Sequence, residues 1–133
     1  MAKVTKFEEL TIWQEARKLV KLAYQLGISP GIKHDFAFKD QLQRASISIM
    51  SNIAEGFERG TNPDFVRFLN MAKGSCGEVR SLLYAAEEIS HLPKDSTKSH
   101  REACELLSKK IAALITYLNN RSTPSATKTT NRR

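Results

Sequence analysis

The sequence lacks the features that mark membrane and secreted proteins. No apolar run in its 133 residues approaches the roughly 20 residues that a membrane-spanning helix needs. The first ten residues, MAKVTKFEEL, lack the apolar core of a secretory signal, so we expect a cytoplasmic protein without a membrane partner. Only two cysteines are present, Cys76 and Cys104. In a cytoplasmic chain, two buried reduced thiols are favoured over the alternative of a disulfide.

The sequence also lacks the residue patterns of common active sites. No glycine-rich phosphate loop follows a strand, and none of the serines Ser46, Ser48, Ser51 and Ser75 has a histidine at helical spacing. Glu88 and His91 have the Glu-x-x-His spacing of di-iron bundles, but neither His34 nor His100 supplies the second copy. His91 is instead expected to interact with the C-terminal end of a helix. We therefore expect no enzymatic activity, no cofactor and no metal site.

What is present is a soluble, basic chain. Hydrophobic residues make up 41% and charged residues 26%, which is typical of one globular domain. The net charge of +7 is uneven, because residues 121–133 carry four basic residues and no acidic residue. We assign residues 1–120 to the domain and predict a disordered basic tail over 121–133. The tail either neutralises nucleic-acid phosphates or is a solubilising end without a partner.

Apolar residues recur at helical spacing in four segments, and no segment has a strand pattern. Short links between the segments predict an all-α, up-down-up-down antiparallel four-helix bundle. The first helix is expected to begin with a capping box at Thr11. The expected N-cap residues of the other three helices are Asp35, Asn62, and either Asp95 or Ser96. The predicted helices are 11–27, 35–59, 63–90 and 96–120; the apolar face of the fourth is Ala103, Leu106, Leu107, Ile111, Leu114, Ile115 and Leu118.

The second predicted helix carries apolar residues on two faces. A helix of this kind needs two partners, so we expect one seam to meet its own bundle and the other to meet a further helix or another subunit. The first seam is Phe38, Leu42, Ala45, Ile49, Ile53 and Gly56, and the second is Ile47, Met50, Ala54 and Phe57.

The third predicted helix has two glycines in its middle, Gly74 and Gly77. Each costs roughly 1 kcal/mol relative to alanine, so a structural reason is expected. Antiparallel counting places residues 74–77 opposite residues 45–48. Small residues there, Ser48, Gly74, Ser75 and Gly77, predict close helix packing, which is favoured over a ligand pocket.

A polar cluster near the end of the second helix predicts a structural network. Glu55 and Arg59 have the spacing of a helical ion pair, and Glu55 is expected to lie opposite Arg67 near the core, beside Gly56. Asn52 is expected to donate a hydrogen bond across an interface and fix its register. A catalytic role is the less favoured alternative.

Several stretches resemble one known family: residues 7–16, 41–49, 51–57 (SNIAEGF) and 68–75 (FLNMAKGS). They are similar to a bacterial four-helix-bundle family first found encoded by intervening sequences within 23S ribosomal RNA genes, over about residues 6–120. The resemblance implies a homopentamer without established enzymatic activity. A related group of retroelement accessory proteins shares that design and binds nucleic acid and a reverse transcriptase.

The function that we expect is a homo-oligomeric, pentameric scaffold that binds RNA or DNA electrostatically. One alternative is a protein–protein adaptor whose partner occupies an exposed apolar groove, with no binding of nucleic acid. A third and less favoured interpretation is an enzyme or ligand carrier at residues 74–77. The candidate nucleic-acid contacts are Arg44, Lys73, Arg121, Lys128, Arg132 and Arg133.

Overall fold

The computed structural model describes residues 3–122 as four α-helices preceded by a short 3-10 turn. This part of the chain contains no strand, which confirms the all-α class. None of the helices in it is both long and apolar enough to cross a membrane. The predicted tail lies outside the described residues from position 123 onwards. The turn is Phe7–Glu9, and the helices are α1 (Thr11–Gly27), α2 (Phe36–Glu58), α3 (Asn62–Glu88) and α4 (Lys98–Ser122).

The four helices pack around one core. α1 contacts α2 and α4, and α3 contacts α2 and α4, so each helix has two neighbours. Gln41 near the start of α2 lies 3.5 Å from Glu78 in the second half of α3, which shows the opposite directions of these two helices. The apolar periodicity of the sequence produces this core, because each helix buries one stripe. Its largest fully buried side chains include Leu42, Ile49, Ile53, Leu69, Leu83, Leu107 and Ile111.

Short polar side chains begin α2 and α3. The Asp35 carboxylate accepts a hydrogen bond from the Phe38 N–H at 3.1 Å, as expected for the cap of α2. α3 is capped one residue earlier than expected: the Thr61 hydroxyl accepts from the Asp64 N–H at 3.3 Å. Asn62 is therefore the first helical residue of α3 rather than its cap.

The start of α1 differs from the predicted capping box. Thr11 is the first helical residue, and Leu10 occupies the cap position in an extended conformation without a side-chain hydrogen bond. The Gln14 side chain donates instead to the Glu8 carbonyl at 2.9 Å. The preceding 3-10 turn folds back over the first turn of α1 and thus takes the place of the capping box.

The α1–α2 and α3–α4 loops meet at one end of the bundle. A Cβ added to Gly31 would lie 1.8 Å from the His91 carbonyl oxygen, so the two loop backbones are in direct contact there. His91 Nε2 lies 2.8 Å from Asp35 Oδ2, and this hydrogen bond is the main cause of the lowered pKa of Asp35. His91 was expected to serve the C-terminus of α3. It lies just beyond the last helical residue, Glu88, and its backbone N–H donates to the Ala86 carbonyl in the last turn of α3 at 2.9 Å, while its ring joins the two loops.

The Glu87 carboxylate organises the α3–α4 loop. Its Oε1 accepts from the Asp95 N–H at 2.9 Å, and its Oε2 accepts from the Thr97 N–H at 3.0 Å and from the Thr97 hydroxyl. Arg101 Nη2 lies 3.4 Å from Oε2. These partners, the Thr97 hydroxyl first among them, lower the pKa of Glu87 to about 2. A distant carboxylate thus satisfies the N–H groups before α4, a role that the sequence had assigned to Asp95 or Ser96 as local caps.

Glu87→Gln should lower the melting temperature by several degrees at pH 7 and by much less at pH 2. Because folding lowers the pKa of this carboxyl from 4.5 to about 2, its stabilising effect is complete above pH 4.5 and is lost as pH falls toward 2. Thermal unfolding followed by circular dichroism at pH 7, 4 and 2 measures the difference. Glu88→Gln, at the exposed next position, is the control. A difference that is constant with pH would contradict this role.

Candidate functional site

A row of hydrogen-bonded polar side chains connects α2 with α3. Ser48 Oγ lies 2.9 Å from Ser75 Oγ, so residues 45–48 and 74–77 lie at the same level of the bundle. Asn52 Nδ2 donates to Ser48 Oγ at 3.0 Å and to the Ser48 carbonyl at 2.8 Å. Asn52 thus bonds within its own helix and supports the Ser48–Ser75 contact, rather than reaching across an interface itself.

Gly56 is the glycine at which α2 and α3 approach closely. A Cβ added there would lie 2.6 Å from the Phe68 Cβ and 3.1 Å from Phe65 Cδ1. Both phenylalanines are buried near the start of α3. The sequence placed Gly56 both in the seam that meets its own bundle and in the polar network. The structure confirms the seam position, because Gly56 is buried and only a residue without a side chain fits against Phe68.

Gly74 and Gly77 lie on the outer face of α3. Nothing lies within 4 Å of a Cβ added to either residue, so the expectation that they pack against α2 is wrong. The physical reason is angular: successive residues turn by about 100° around a helix, so Ser75 faces α2 while Gly74 points outward. Large apolar side chains exposed on α2 and α3 include Ile47 at 41% and Met71 at 42%.

The second apolar seam of α2 is mostly covered by its own chain. Met50, Ala54 and Phe57 are half-buried and pack against the core. The ring of Phe57 meets the ring of Phe65 edge-on, with 5.8 Å between their centroids. Ile47 is thus the member of that seam that stays exposed, and three-quarters of the seam needs no second subunit.

The ion-pair network of the sequence interpretation forms only in part. Arg59 pairs with Glu55 at 3.1 Å, but Arg67 pairs with Asp64 at 3.5 Å rather than with Glu55. The Glu55 side chain is 54% exposed, so it is not a carboxylate held near the core, and exposed pairs contribute less than about 1 kcal/mol. The Arg59 and Arg67 guanidinium carbons lie 4.9 and 4.6 Å from the Phe68 ring centroid. The cluster therefore presents two stacked guanidinium groups at the α2–α3 turn.

The candidate nucleic-acid contacts among the described residues lie on three different helices, α2, α3 and α4. Arg44 pairs with Asp40 at 2.8 Å, and both side chains are exposed. Lys73 is exposed on α3 and has no ion pair within residues 3–122. The Arg121 guanidinium stacks on the Tyr117 ring at 5.0 Å near the end of α4. The other three candidates, Lys128, Arg132 and Arg133, lie outside the described residues.

The two cysteines are buried free thiols in facing helices. Burial raises the pKa of Cys76 to about 12 and that of Cys104 to about 11. Both thiols therefore stay protonated near neutral pH and lack the thiolate character of a nucleophile. Within residues 3–122, no three side chains of histidine, cysteine, aspartate and glutamate are grouped closely enough to hold a metal ion.

Sequence reasoning did not locate the groove between α1 and α4, hereafter the α1–α4 groove. It has a volume of about 490 Å³ and an apolar floor that includes Leu19 and Leu107. Leu106, which the sequence placed on the apolar face of α4, is 52% exposed at its edge. The one sign of the groove in the sequence was that the apolar stripe of α4 includes Leu106, a residue that the bundle leaves uncovered. The polar residues of the rim are Glu15, Lys18, Lys21, Gln25, His100 and Lys110.

Comparisons with known proteins give one family and one fold. The family model described as 23S rRNA-intervening sequence protein matches residues 8–113. Three chains of solved structures match. One is the crystal structure of a protein with unknown function from the S23 ribosomal protein family of Bacteroides thetaiotaomicron, with 18% identity and a TM-score of 0.71 over 79% of this chain and 98% of that chain. At this identity the likeness concerns the fold alone. No curated protein matches.

Proposed function

The chain belongs to the 23S rRNA-intervening sequence protein family, and on that premise we propose that it is a non-enzymatic scaffold that assembles with copies of itself and binds RNA or DNA electrostatically. The building block is an up-down-up-down antiparallel four-helix bundle, and the assembly is a cytoplasmic homopentamer. The outer face of α2 and α3 carries the self-assembly. Basic side chains, including those beyond residue 122, carry the contact with phosphates.

The observation that supports self-assembly is the open space around Gly74 and Gly77. Each glycine costs a helix roughly 1 kcal/mol relative to alanine, and the single chain gains no close contact in return. If the backbone of a neighbouring helix packed closely against this face, that contact would explain why glycine is present at both positions. Exposed Met71 on α3 and Ile47 on α2 add apolar surface for such a contact.

The double substitution Gly74→Ala/Gly77→Ala should weaken the assembly while stabilising the separated chain. Two methyl groups would hold a neighbouring helix away, whereas in the free chain each alanine adds up to about 1 kcal/mol of helix stability. Light scattering measures the solution mass, and urea unfolding at low protein concentration measures the stability. Glu105→Ala, exposed on α4, is the control and should leave the mass unchanged. A variant that is more stable and keeps the full mass would contradict the interface.

Binding of nucleic acid is supported by charge. The chain carries a net charge of +7, and a ring of copies would multiply each exposed cation by the number of subunits. Arg59 and Arg67, stacked on one ring, are preorganised guanidinium groups of the kind that phosphates prefer. Such binding neutralises phosphates and releases counterions, so its affinity must fall as salt increases.

Binding of a labelled RNA hairpin and of a DNA duplex, measured by fluorescence anisotropy over a range of salt concentrations, tests this. The log–log salt slope should fall in magnitude by up to about 3 in Lys128→Gln/Arg132→Gln/Arg133→Gln. The matched control Lys6→Gln/Lys33→Gln/Lys109→Gln removes the same charge elsewhere and should keep most of the slope. Absent binding, or binding that ignores salt, would exclude the electrostatic mechanism.

The α1–α4 groove favours a second candidate function, that of a protein–protein adaptor. Its exposed apolar lining, Leu106 and Ala103 with half-buried Leu22, binds a partner partly by burial, and that contribution persists at salt concentrations that release nucleic acid. A defined partner retained in high salt, together with no affinity for RNA or DNA, would select the adaptor over the nucleic-acid scaffold.

A further inference from the structure

We propose that the α1–α4 groove binds an acidic amphipathic helix of a partner protein. This inference rests on the adaptor function proposed for the same groove and names the chemistry of the partner. It is separate from the proposed self-assembly and nucleic-acid binding. α1 and α4 pack together more loosely than the other neighbouring helices, which leaves the groove open along their seam. From Glu15 to Gln25 it extends along about ten residues of α1, or about 15 Å, the length of roughly three helical turns.

The floor of the groove supplies the apolar half of the recognition. Leu19 and Leu107 form its base but are buried in the bundle, so the apolar surface open to an occupant comes from Leu22, Ala103 and Leu106. Leu106 projects at the edge, 52% exposed, so an occupant that covers it removes apolar surface from water. Helix-in-groove complexes use such a floor to receive residues spaced three and four apart on one face of the bound helix.

The rim of the groove supplies the charge. Lys18 and Lys21 on α1 have no ion pair within residues 3–122. Lys110 pairs with the one acidic residue of the lining, Glu15, at 2.6 Å, so the two unpaired lysines set the net charge. Acidic residues beside the apolar stripe of a bound helix would complement this rim.

The shape of the groove selects a helix over an alkyl chain. The groove is only partly enclosed, so an alkyl chain would leave part of its surface in water. An amphipathic helix instead turns its polar face outward while its apolar stripe fills the floor. The unpaired Lys18 and Lys21 disfavour pairing with the same groove of a second copy, and the chain's own residues 123–133 contain no large apolar side chain to fill the floor.

The probe is a fluorescein-labelled, acetylated peptide about 14 residues long, with leucines at helical spacing on one face and glutamates beside them. Its control carries lysine in place of each glutamate. We expect the acidic peptide to bind the full-length protein at least about tenfold more tightly than the basic control, with affinity that falls as salt increases.

Two variants locate the site. Leu106→Gln should weaken binding of the acidic peptide about tenfold, and Lys18→Glu/Lys21→Glu should weaken it further and remove the salt dependence. The matched controls are Ile89→Gln, with a side chain 50% exposed at the end of α3, and Lys6→Glu/Lys33→Glu, which reverses two exposed charges outside the groove. Neither control should change the affinity by more than about twofold.

Three results would overturn the proposal. The first is equal binding of the acidic and basic peptides, or no binding of either. The second is an equal effect of Leu106→Gln and Ile89→Gln. The third is a fall in the solution mass of Leu106→Gln, because the groove would then be covered by another copy of the chain. None of these results bears on the affinity for RNA or DNA, so this proposal and that one fail separately.

Discussion

Gly31→Ala is expected to lower the free energy of unfolding by about 3 kcal/mol, the upper part of the range for overpacked sites. The added Cβ would lie 1.8 Å from the His91 carbonyl oxygen and 2.7 Å from the carbonyl carbon. Both atoms belong to the backbone, so no rotamer change relieves the clash. The two loops must separate, which also disturbs the Asp35–His91 hydrogen bond. Urea unfolding followed by Trp13 fluorescence measures the loss.

The exposed neighbour Lys33→Ala is the control, and its stability should change by no more than about 0.5 kcal/mol. Gly31→Ala combined with His91→Ala should be no more stable than the single variant, because the colliding atoms remain. If Gly31→Ala were as stable as the control, the contact between the two loops would be wrong.

Gly56→Ala is expected to destabilise the bundle by about 1–2 kcal/mol. Alanine gains up to about 1 kcal/mol of helix propensity, but overpacking at a rigid contact costs up to about 3 kcal/mol. The contact is rigid because the Phe68 Cβ, 2.6 Å from the added methyl group, moves only if α3 moves. Phe65, at 3.1 Å, meets the methyl group with its ring and can give way. Urea unfolding again provides the measurement.

The control is Glu58→Ala, at an exposed position two residues further along α2. It changes helix propensity without adding a packing contact, so it should be neutral or slightly stabilising. Adding Phe68→Leu to Gly56→Ala should not restore stability, since leucine keeps the Cβ. A Gly56→Ala protein that is more stable than the parent would show that α2 and α3 are not held in contact there.

The helices of this protein could be predicted from sequence because their signals are local. Apolar residues three and four apart and the Asp35 cap act over one turn of chain. The loop contacts could not be predicted in this way. Glu87 caps residues eight and ten positions away, and Gly31 meets His91 across 60 residues, so only the assembled bundle reveals them.

The candidate site was partly predictable for a related reason. Antiparallel counting fixes which level of α3 lies beside which level of α2, and it placed Ser48 near Ser75. It does not fix which way a side chain points. Gly74 is one residue from Ser75 yet faces outward. Arg67 pairs with Asp64 on its own helix rather than with Glu55 on α2. For Gly74, an error of one residue therefore replaced the face that meets α2 with the outer face of α3.

The solution mass of the full-length protein, measured by multi-angle light scattering over a range of concentrations, tests the central claim most directly. That claim is that further copies of the chain cover the outer face of α2 and α3. The predicted result is a single species of about five times the 15.0 kDa chain mass, stable on dilution. A species of 15.0 kDa at every concentration would contradict it and leave Gly74 and Gly77 without a structural reason.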